Sequence, residues 1–241
     1  MNSLPLLLVP GLMCDHTVWE PLLPYLAPLQ KCQMVDHQLA NSLTQMAEQL
    51  LHHAPDRFVV AGHSMGGRVV LEALRIAPER IAGVALMDTG HLAKLPGSAG
   101  ESEVAKRLAL LQIAQAQGVR AMAKEWVKGM VHPERLQDHV LIDQILDMFD
   151  RKNSDIFARQ LLALIHRSDG TDVLKAIQVP CLILCGQQDS WAPPSQHEEM
   201  MQHVPHATLS VIASAGHMVT MEKPQAVAEA MNSWLSHPNW S

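Results

Sequence analysis

The sequence predicts an α/β protein built on a mainly parallel sheet with helices on both faces. Short, continuous apolar runs, which are typical of strands buried on both faces, alternate with helical periods along most of the chain. Strands that alternate with helices form parallel sheets, and such sheets bind ligands at the carboxyl ends of their strands. The chain has 241 residues, 48% of them apolar, and this length suits one domain of this class.

Six apolar runs predict a sheet of about six strands. They occupy residues 4–9, 32–35, 58–61, 81–87, 181–185 and 209–212, and the run at 32–35 is the weakest. Two helical periods flank the third run. Leu43, Met46 and Leu50 precede it, and the period that follows it ends before Pro78.

Residues 96–170 interrupt this alternation. They contain no convincing strand but several amphipathic stretches, among them Val104, Leu108 and Leu111. Turn-forming Pro, Gly and Asn residues divide them into about four helices. We therefore expect a helical cap at 96–170, inserted into a core made of residues 1–95 and 171–241. The alternative is a separate small helical domain that takes no part in binding.

Composition excludes several classes of protein. A net charge of -6 without any cluster of Lys and Arg argues against nucleic-acid binding and favours a small-molecule substrate. No apolar run approaches the roughly 20 residues of a membrane helix, and the apolar start ends at Pro10-Gly11 with no basic residue before it, so we expect a soluble protein without a signal peptide. The four cysteines show neither zinc-site nor disulfide spacing, which indicates a reducing, cytoplasmic setting.

The most informative motif is Gly62-His63-Ser64-Met65-Gly66, which follows a predicted strand and precedes a predicted helix. This order is typical of a nucleophile elbow, the sharp turn that presents a reactive serine. The turn holds the serine in a strained backbone conformation, and side chains at the two glycine positions would collide with neighbouring backbone. Ser64 is therefore the predicted nucleophile.

A serine nucleophile requires a histidine that takes its proton and a buried carboxylate that orients the histidine. Asp189 and His217 each follow a later predicted strand, in the chain order Ser, Asp, His that this kind of site uses. We predict that His217 is the base and Asp189 the acid. Asp88 also follows a strand and remains an alternative acid, or else it only caps a turn.

Hydrolysis also requires donors for the negatively charged oxygen that forms during the reaction. The backbone N–H of Met65, directly after the nucleophile, is one predicted donor. The N–H of Leu12, in the loop after the first strand, is the other, although Pro10-Gly11 in that loop is also compatible with a plain turn. This chemistry needs no metal and no organic cofactor.

The motifs at 62–66, 186–189 and 216–218 resemble the elbow, acid and base motifs of the α/β-hydrolase superfamily, in particular compact bacterial serine esterases and thioesterase-like hydrolases. The resemblance covers essentially the whole chain and implies that these motifs follow the family's fifth, seventh and eighth strands. It also implies that the chain begins at the family's third strand, without the usual first hairpin. Pro10 replaces a usual histidine, and Ser64 excludes the members that use an aspartate nucleophile.

Side chains near these motifs predict a flexible, apolar substrate pocket. The candidates for its wall are Met13, Trp126, Trp191 and Met218, each of which could instead be an ordinary core residue. Residues 101–167 hold ten Lys/Arg and nine Asp/Glu, net +1, whereas the rest holds eight and fifteen, net -7. A substrate that carries a carboxylate or a phosphopantetheine group is therefore a hypothesis, and a solvated helix face is its alternative.

The function that these predictions favour is hydrolysis of a small carboxylic ester through an acyl-enzyme intermediate, the reaction of a carboxylesterase. Thioesters, lactones or the C–C bond of a meta-cleavage product are alternative substrates for the same three residues. A ligand-binding receptor on a hydrolase scaffold is the alternative from another class. The sequence predicts neither the natural substrate nor the oligomeric state.

Overall fold

A computed structural model of the chain describes residues 4–27 and 30–236. It contains six strands: β1 (Leu6–Val9), β2 (Cys32–Met34), β3 (Phe58–His63), β4 (Ile81–Met87), β5 (Cys181–Gly186) and β6 (Thr208–Ile212). They form one sheet in the order β2-β1-β3-β4-β5-β6, and every neighbouring pair is parallel. The predicted parallel sheet of about six strands is therefore confirmed.

The strand order reverses direction between β1 and β3. The chain passes from β1 to β2 on one side and then crosses back to β3 on the other side. In open α/β sheets such a reversal leaves a crevice at the carboxyl ends of the two strands, because their following loops diverge. Val9 pairs with Gly62, so the loops after β1 and β3 begin side by side at this crevice.

In the described parts of the chain, ten α-helices connect and cover the strands. They are α1 (Leu43–His53), α2 (Met65–Ile76), α3 (Gly97–Gln117), α4 (Val119–Trp126), α5 (His139–Asp150), α6 (Ser154–Ile165), α7 (Thr171–Ala176), α8 (Pro194–His203), α9 (Val219–Glu222) and α10 (Pro224–Leu235). The Ser42 side chain caps α1 by accepting from the N–H of Gln45, and α2 ends at Ile76 before Pro78. Within the described ranges, no helix is both long and apolar enough to cross a bilayer.

Four of these helices, α3 to α6, lie within residues 96–170, for which about four were predicted. We call residues 96–170 the helical segment. It also contains short 3-10 helices at Val127–Gly129 and Pro133–Gln137. The segment is tied to the loop after β1, since Arg151 donates to both carboxylate oxygens of Asp15 at 2.8 and 3.0 Å.

Burial differs between the centre and one edge of the sheet. Every residue of β3, β4 and β5 is buried, as predicted for strands covered on both faces. β6 differs from that prediction, because it is an edge strand with β5 as its one neighbour, and its Val211 is 42% exposed. Cys181 and Cys185 are free and buried, as expected for small core residues.

The amino end of α2 packs against the end of β1 with no room for a side chain. A Cβ atom on Gly66 would lie 2.1 Å from the carbonyl oxygen of Val9. A Cβ atom on Gly62 would lie 2.5 Å from the carbonyl oxygen of Gly66. Both distances are far below a van der Waals contact, and the obstructing atoms are backbone, so neither position admits a larger residue.

We expect Gly66→Ala to lower the free energy of unfolding by about 4 kcal/mol or more, because α2 must move away from β1 to admit the methyl group. Gly118→Ala is the matched control. Gly118 has φ +92° and ψ 159° but nothing lies within 4 Å of its Cβ position, so its cost is limited to backbone strain, about 1–3 kcal/mol. Urea titrations followed by circular dichroism measure both values, and equal costs would contradict the tight packing of α2.

Candidate active site

Ser64 lies in a strained turn between β3 and α2. Its backbone has φ 55° and ψ -119°, a combination that costs a residue with a Cβ atom free energy. Two contacts hold this turn. The N–H of Ser64 donates to the carbonyl oxygen of Met87 at 2.8 Å. The carbonyl oxygen of Ser64 accepts from the Thr89 hydroxyl at 2.7 Å. The strain is thus maintained by hydrogen bonds to β4 and to the residues that follow it.

Three predicted site residues come together at the carboxyl edge of the sheet. His217 Nε2 lies 2.8 Å from Ser64 Oγ, and His217 Nδ1 lies 2.7 Å from Asp189 Oδ2. The other carboxylate oxygen of Asp189 accepts from the backbone N–H groups of Trp191 at 2.8 Å and Ala192 at 3.0 Å. In the tautomer that these contacts favour, Nδ1–H donates to Asp189 and Nε2 accepts from the serine hydroxyl.

The Asp189 carboxyl is suited to remain ionised although it is 2% exposed. Burial alone would raise its pKa, but the charge of His217, the hydrogen bond to that ring and the two backbone N–H donors together lower the pKa below its ordinary value. A buried carboxylate beside the Nδ1 atom of His217 stabilises the imidazolium that forms when the ring takes a proton.

Asp88, the alternative acid, makes no contact with His217. Its Oδ1 accepts from the backbone N–H of Gly186 at 2.9 Å, and its Oδ2 lies 3.6 Å from His63 Nε2. Burial, followed by the negative charge of Asp189, raises the pKa of Asp88 well above its ordinary value. Asp88 is thus a buried acid behind the site, and Asp189 is the carboxyl that reaches the imidazole.

His63, which the sequence analysis did not select, supports His217 from behind. Its Nε2–H donates to the backbone carbonyl of His217 at 2.7 Å. Burial, followed by the charge of His217, lowers the pKa of His63 to about 4, so the ring is a neutral donor at neutral pH. Its position next to Ser64 in the elbow motif was the signal that could have identified it.

Glu222 is a second residue that the sequence analysis missed. One carboxylate oxygen accepts from the N–H of Gly216 at 2.9 Å, and the other accepts from the N–H of His132 at 2.7 Å. Glu222 therefore joins the loop that carries His217 to the helical segment. Nothing in the sequence pattern distinguishes Glu222 from the other acidic residues, because both of its partners are backbone groups and one of them, in His132, is distant in the chain.

The loop after β1 is held in place by two side chains from elsewhere in the chain. His37 Nε2 lies 2.9 Å from the carbonyl oxygen of Pro10, and Gln160 Oε1 accepts from the N–H of Met13 at 2.8 Å. Met13 adopts φ 62°, which again places a residue with a Cβ atom in the left-handed region. The loop is therefore an ordered, tethered structure despite the proline that opens it.

This loop and the start of α2 present free backbone donors beside Ser64. Among residues 4–27 and 30–236, the N–H groups of Leu12 and Met65 donate to no protein acceptor. Both residues line the cavity that contains Ser64. Met65 is the first residue of α2, where unpaired N–H groups and the helix dipole favour negative charge.

The cavity above Ser64 has a volume of about 810 Å³. Three of the four predicted wall residues line it, namely Trp126, Trp191 and Met218. The indole rings of Trp126 and Trp191 stack with centroids 5.5 Å apart, and Trp191 also contacts the imidazole of His217. Met13 differs from the prediction, because its side chain is buried in the core and does not line the cavity.

One end of the cavity is cationic. Glu103 pairs with Arg167 at 2.7 Å and with Arg107 at 3.0 Å, so one carboxylate serves two guanidinium groups. Arg68 donates to the carbonyl oxygen of Leu92 and has no carboxylate partner in the part of the chain that the structure describes. Burial, followed by repulsion from Arg167, lowers the pKa of Arg68 to about 9, which leaves it charged at neutral pH.

Two curated proteins illustrate the similarity of the chain to bacterial esterases. It is 26% identical to a pimeloyl-[acyl-carrier protein] methyl ester esterase of Photobacterium profundum, over 95% of this chain and 94% of that protein. It is 25% identical to a putative esterase/lipase of Haemophilus influenzae, over 79% of this chain. That second match spans 66% of the Haemophilus protein, slightly less than two thirds of its length.

Solved structures show the same fold. A thermophilic esterase from Thermogutta terrifontis superposes with a TM-score of 0.84 at 27% identity, over 97% of this chain and 90% of that one. The enol-lactonase of Burkholderia xenovorans superposes with a TM-score of 0.85 at 20% identity, over 98% and 93% of the two chains. Residues 6–230 match the sequence family described as the alpha/beta hydrolase family. The chain belongs to the alpha/beta hydrolase family.

Proposed function

We propose that the chain is a serine hydrolase, a carboxylesterase that cleaves small carboxylic esters through an acyl-enzyme intermediate. The observation that supports this most directly is the continuous hydrogen-bonded series from Ser64 through His217 to Asp189, which opens onto a cavity. The esterase names of the Photobacterium and Thermogutta proteins support ester hydrolysis as the reaction class. We also propose a cytoplasmic location, in keeping with the four free cysteines.

In the proposed reaction, His217 Nε2 takes the hydroxyl proton while Ser64 Oγ attacks the ester carbonyl carbon. The tetrahedral intermediate collapses as the bond to the alcohol oxygen breaks, and the imidazolium gives its proton to the departing alcohol. Water then attacks the acyl-enzyme with the same histidine as base, which releases the carboxylic acid and restores the serine. Asp189 orients the ring and stabilises its positive charge in both halves.

The oxyanion of each tetrahedral intermediate would be held by the N–H groups of Leu12 and Met65. Neither N–H donates to an acceptor among the described residues, and both residues line the cavity beside Ser64. Removal of one such donor in other enzymes costs about 10²–10³ in kcat, so two preorganised donors are a major source of rate enhancement.

We propose that the helical segment acts as a cap on the active site, with residues 1–95 and 171–241 as the core domain. Trp126 and Met130 from this segment line the cavity together with Trp191 and Met218 from the core. The N–H of Met218 also donates to the carbonyl oxygen of Met130 at 3.1 Å, so the two parts meet directly beside the site. These contacts support a role in substrate binding for the segment.

The cationic end of the cavity supports a preference for esters that carry a carboxylate or phosphate group. Arg68 lies four residues after Ser64, lines the same cavity and forms no ion pair with a carboxylate of the described residues. A charge-assisted hydrogen bond to a substrate anion would compensate for the burial of this guanidinium group. The Thermogutta esterase was solved with malate, a dicarboxylate, bound. We therefore propose an anionic substrate, small or linked to a carrier.

Ser64→Ala should lower kcat for p-nitrophenyl esters by about 10⁵-fold or more, because the nucleophile is lost while the fold is retained. The wild-type protein should show sustained turnover after an initial burst of p-nitrophenol. A parallel panel of thioesters, lactones and vinylogous diketones ranks the possible leaving groups. A single slow turnover by the wild type would instead favour a receptor, and full activity of the alanine variant would refute the nucleophile assignment.

The two neighbouring carboxyl groups should respond very differently to amide replacement. Asp189→Asn should lower kcat by about 10⁴-fold, because the amide stabilises the wrong tautomer of His217. Asp88→Asn is its matched control and should change kcat by less than about threefold, since an amide oxygen still accepts from Gly186 and burial already favours the neutral form of Asp88 by raising its pKa. Steady-state kinetics of both variants at pH 7 test this, and the reverse order would make Asp88 the acid.

Arg68→Gln should lower kcat/KM for an ester with a free carboxylate by about 10–100-fold, because the variant loses a hydrogen bond between two charged groups. The matched neutral ester, with an amide in place of the carboxylate, should change little. Arg120→Gln is the control, because Arg120 lies on the helical segment but pairs with Asp147 outside the cavity. Equal losses for the anionic and neutral esters would show that Arg68 has only a structural role.

A further inference from the structure

Three side chains that take no part in the proposed hydrolysis meet beside the cavity. His91 follows β4, three residues after Asp88, whereas Glu199 and His203 lie on α8. Glu199 and His203 are four residues apart, so they share one face of that helix. One potential ligand atom from each of the three side chains lies within 4.8 Å of the other two. The group is therefore composed of two imidazoles and one carboxylate that converge from two separate elements.

His91 is buried without a partner, which requires a physical explanation. Its side chain is fully covered, yet neither Nδ1 nor Nε2 has a hydrogen-bond partner among the described residues. An unsatisfied buried polar group costs about 1–3 kcal/mol, so such groups are rare unless a ligand or ion completes them. The His203 ring packs against His91 with a centroid separation of 5.3 Å, and this contact supplies no hydrogen bond.

The two side chains on α8 also lack hydrogen-bond and ion-pair partners among the described residues. Over the described parts of the chain, the Glu199 carboxylate takes part in no ion pair or hydrogen bond, and the His203 ring makes none either. By contrast, Glu103 and Glu222, which also lie near the cavity and the site, have two partners each. The three side chains thus retain their full capacity to bind a further group.

Two imidazoles and a carboxylate suit a particular kind of ligand. Zinc binds histidine nitrogen at about 2.0–2.1 Å, so ligand atoms around a tetrahedral ion lie about 3.4 Å apart. The three ligand atoms lie within 4.8 Å of one another, so binding would require side-chain rotations that bring them closer together. Burial lowers the pKa of His91, which keeps its ring in the neutral form that binds metals. Asp169 adds a favourable negative charge nearby, and Arg68 opposes it.

The geometry points to a binding site for a divalent transition-metal ion, best matched by Zn²⁺, formed by His91, Glu199 and His203. The ion would join the residues after β4 to α8, the helix that follows Asp189, and would complete the unpaired ring of His91. Three protein ligands leave a fourth position for water or another small ligand. The site is separate from Ser64 and His217 and has no step in the proposed hydrolysis, although Glu199 lines the same cavity.

The test uses the full-length protein, stripped of metals with a chelator. Isothermal titration with ZnCl₂ should show one tight site per chain, and Zn²⁺ at about 100 times its Kd should raise the melting temperature by about 5 °C or more. Co²⁺ in place of Zn²⁺ should produce the visible absorption of a low-coordinate nitrogen and oxygen site. His203→Asn and Glu199→Gln should each weaken Zn²⁺ binding by about 100-fold or more.

Surface residues provide the matched control. His16 and Glu20 are also four residues apart and approach within 3.3 Å, but both are exposed and form no such three-residue group. His16→Asn should leave the affinity, stoichiometry and Co²⁺ spectrum unchanged. Melting curves without metal identify any variant that is merely misfolded. Binding that is weak, that persists in both α8 variants, or that is lost in His16→Asn would overturn the proposal, and none of these readouts depends on esterase activity.

Discussion

The close approach of α2 to β1 is the constraint on which the rest of the site depends. Because Gly66 places backbone against the carbonyl oxygen of Val9, the chain must turn sharply after β3. The turn forces Ser64 to positive φ and exposes the N–H of Met65 at the amino end of the helix. One packing requirement thus sets the position of the hydroxyl, of a free backbone donor and of the positive helix end. The cost in backbone strain is offset by the hydrogen bonds that join the turn to β4.

The position of the imidazole depends on parts of the chain outside its own loop. His217 is held through its carbonyl oxygen by the buried His63, and its neighbour Gly216 is held by Glu222. The second carboxylate oxygen of Glu222 accepts from the N–H of His132. The helical segment and the loop that carries His217 therefore share one buried carboxylate. A shift of the segment would therefore be transmitted to the loop that carries His217 through the two hydrogen bonds of Glu222. This coupling gives the segment a structural part in the site, besides its contribution to the cavity wall.

The features that could be predicted from the sequence are those encoded locally. Short, continuous apolar runs predicted the strands, and residues after strand ends, such as Asp189 and His217, were expected to meet because parallel strands end at one edge of a sheet. The rest depends on contacts between distant residues. Met13 was expected in the pocket wall. Its N–H donates a hydrogen bond to the Gln160 side chain and its φ is positive, and in this conformation its side chain lies in the core. The role of Glu222 also had no local signal, because its partners are backbone groups.

The sequence alone does not decide which of two carboxyl groups pairs with the histidine, because the choice depends on hydrogen bonds that form only in the folded chain. Asp88 and Asp189 both follow strands, and β4 and β5 are neighbours, so both carboxyls lie buried at the same edge. Two adjacent buried carboxylates repel each other, so the one with better donors keeps the charge. Asp189 accepts from two backbone N–H groups and from His217, whereas the donor to Asp88 among the described residues is the N–H of Gly186. The backbone turn after β5 therefore favours the charged form of Asp189 over that of Asp88, and it places the Asp189 carboxylate beside the imidazole of His217.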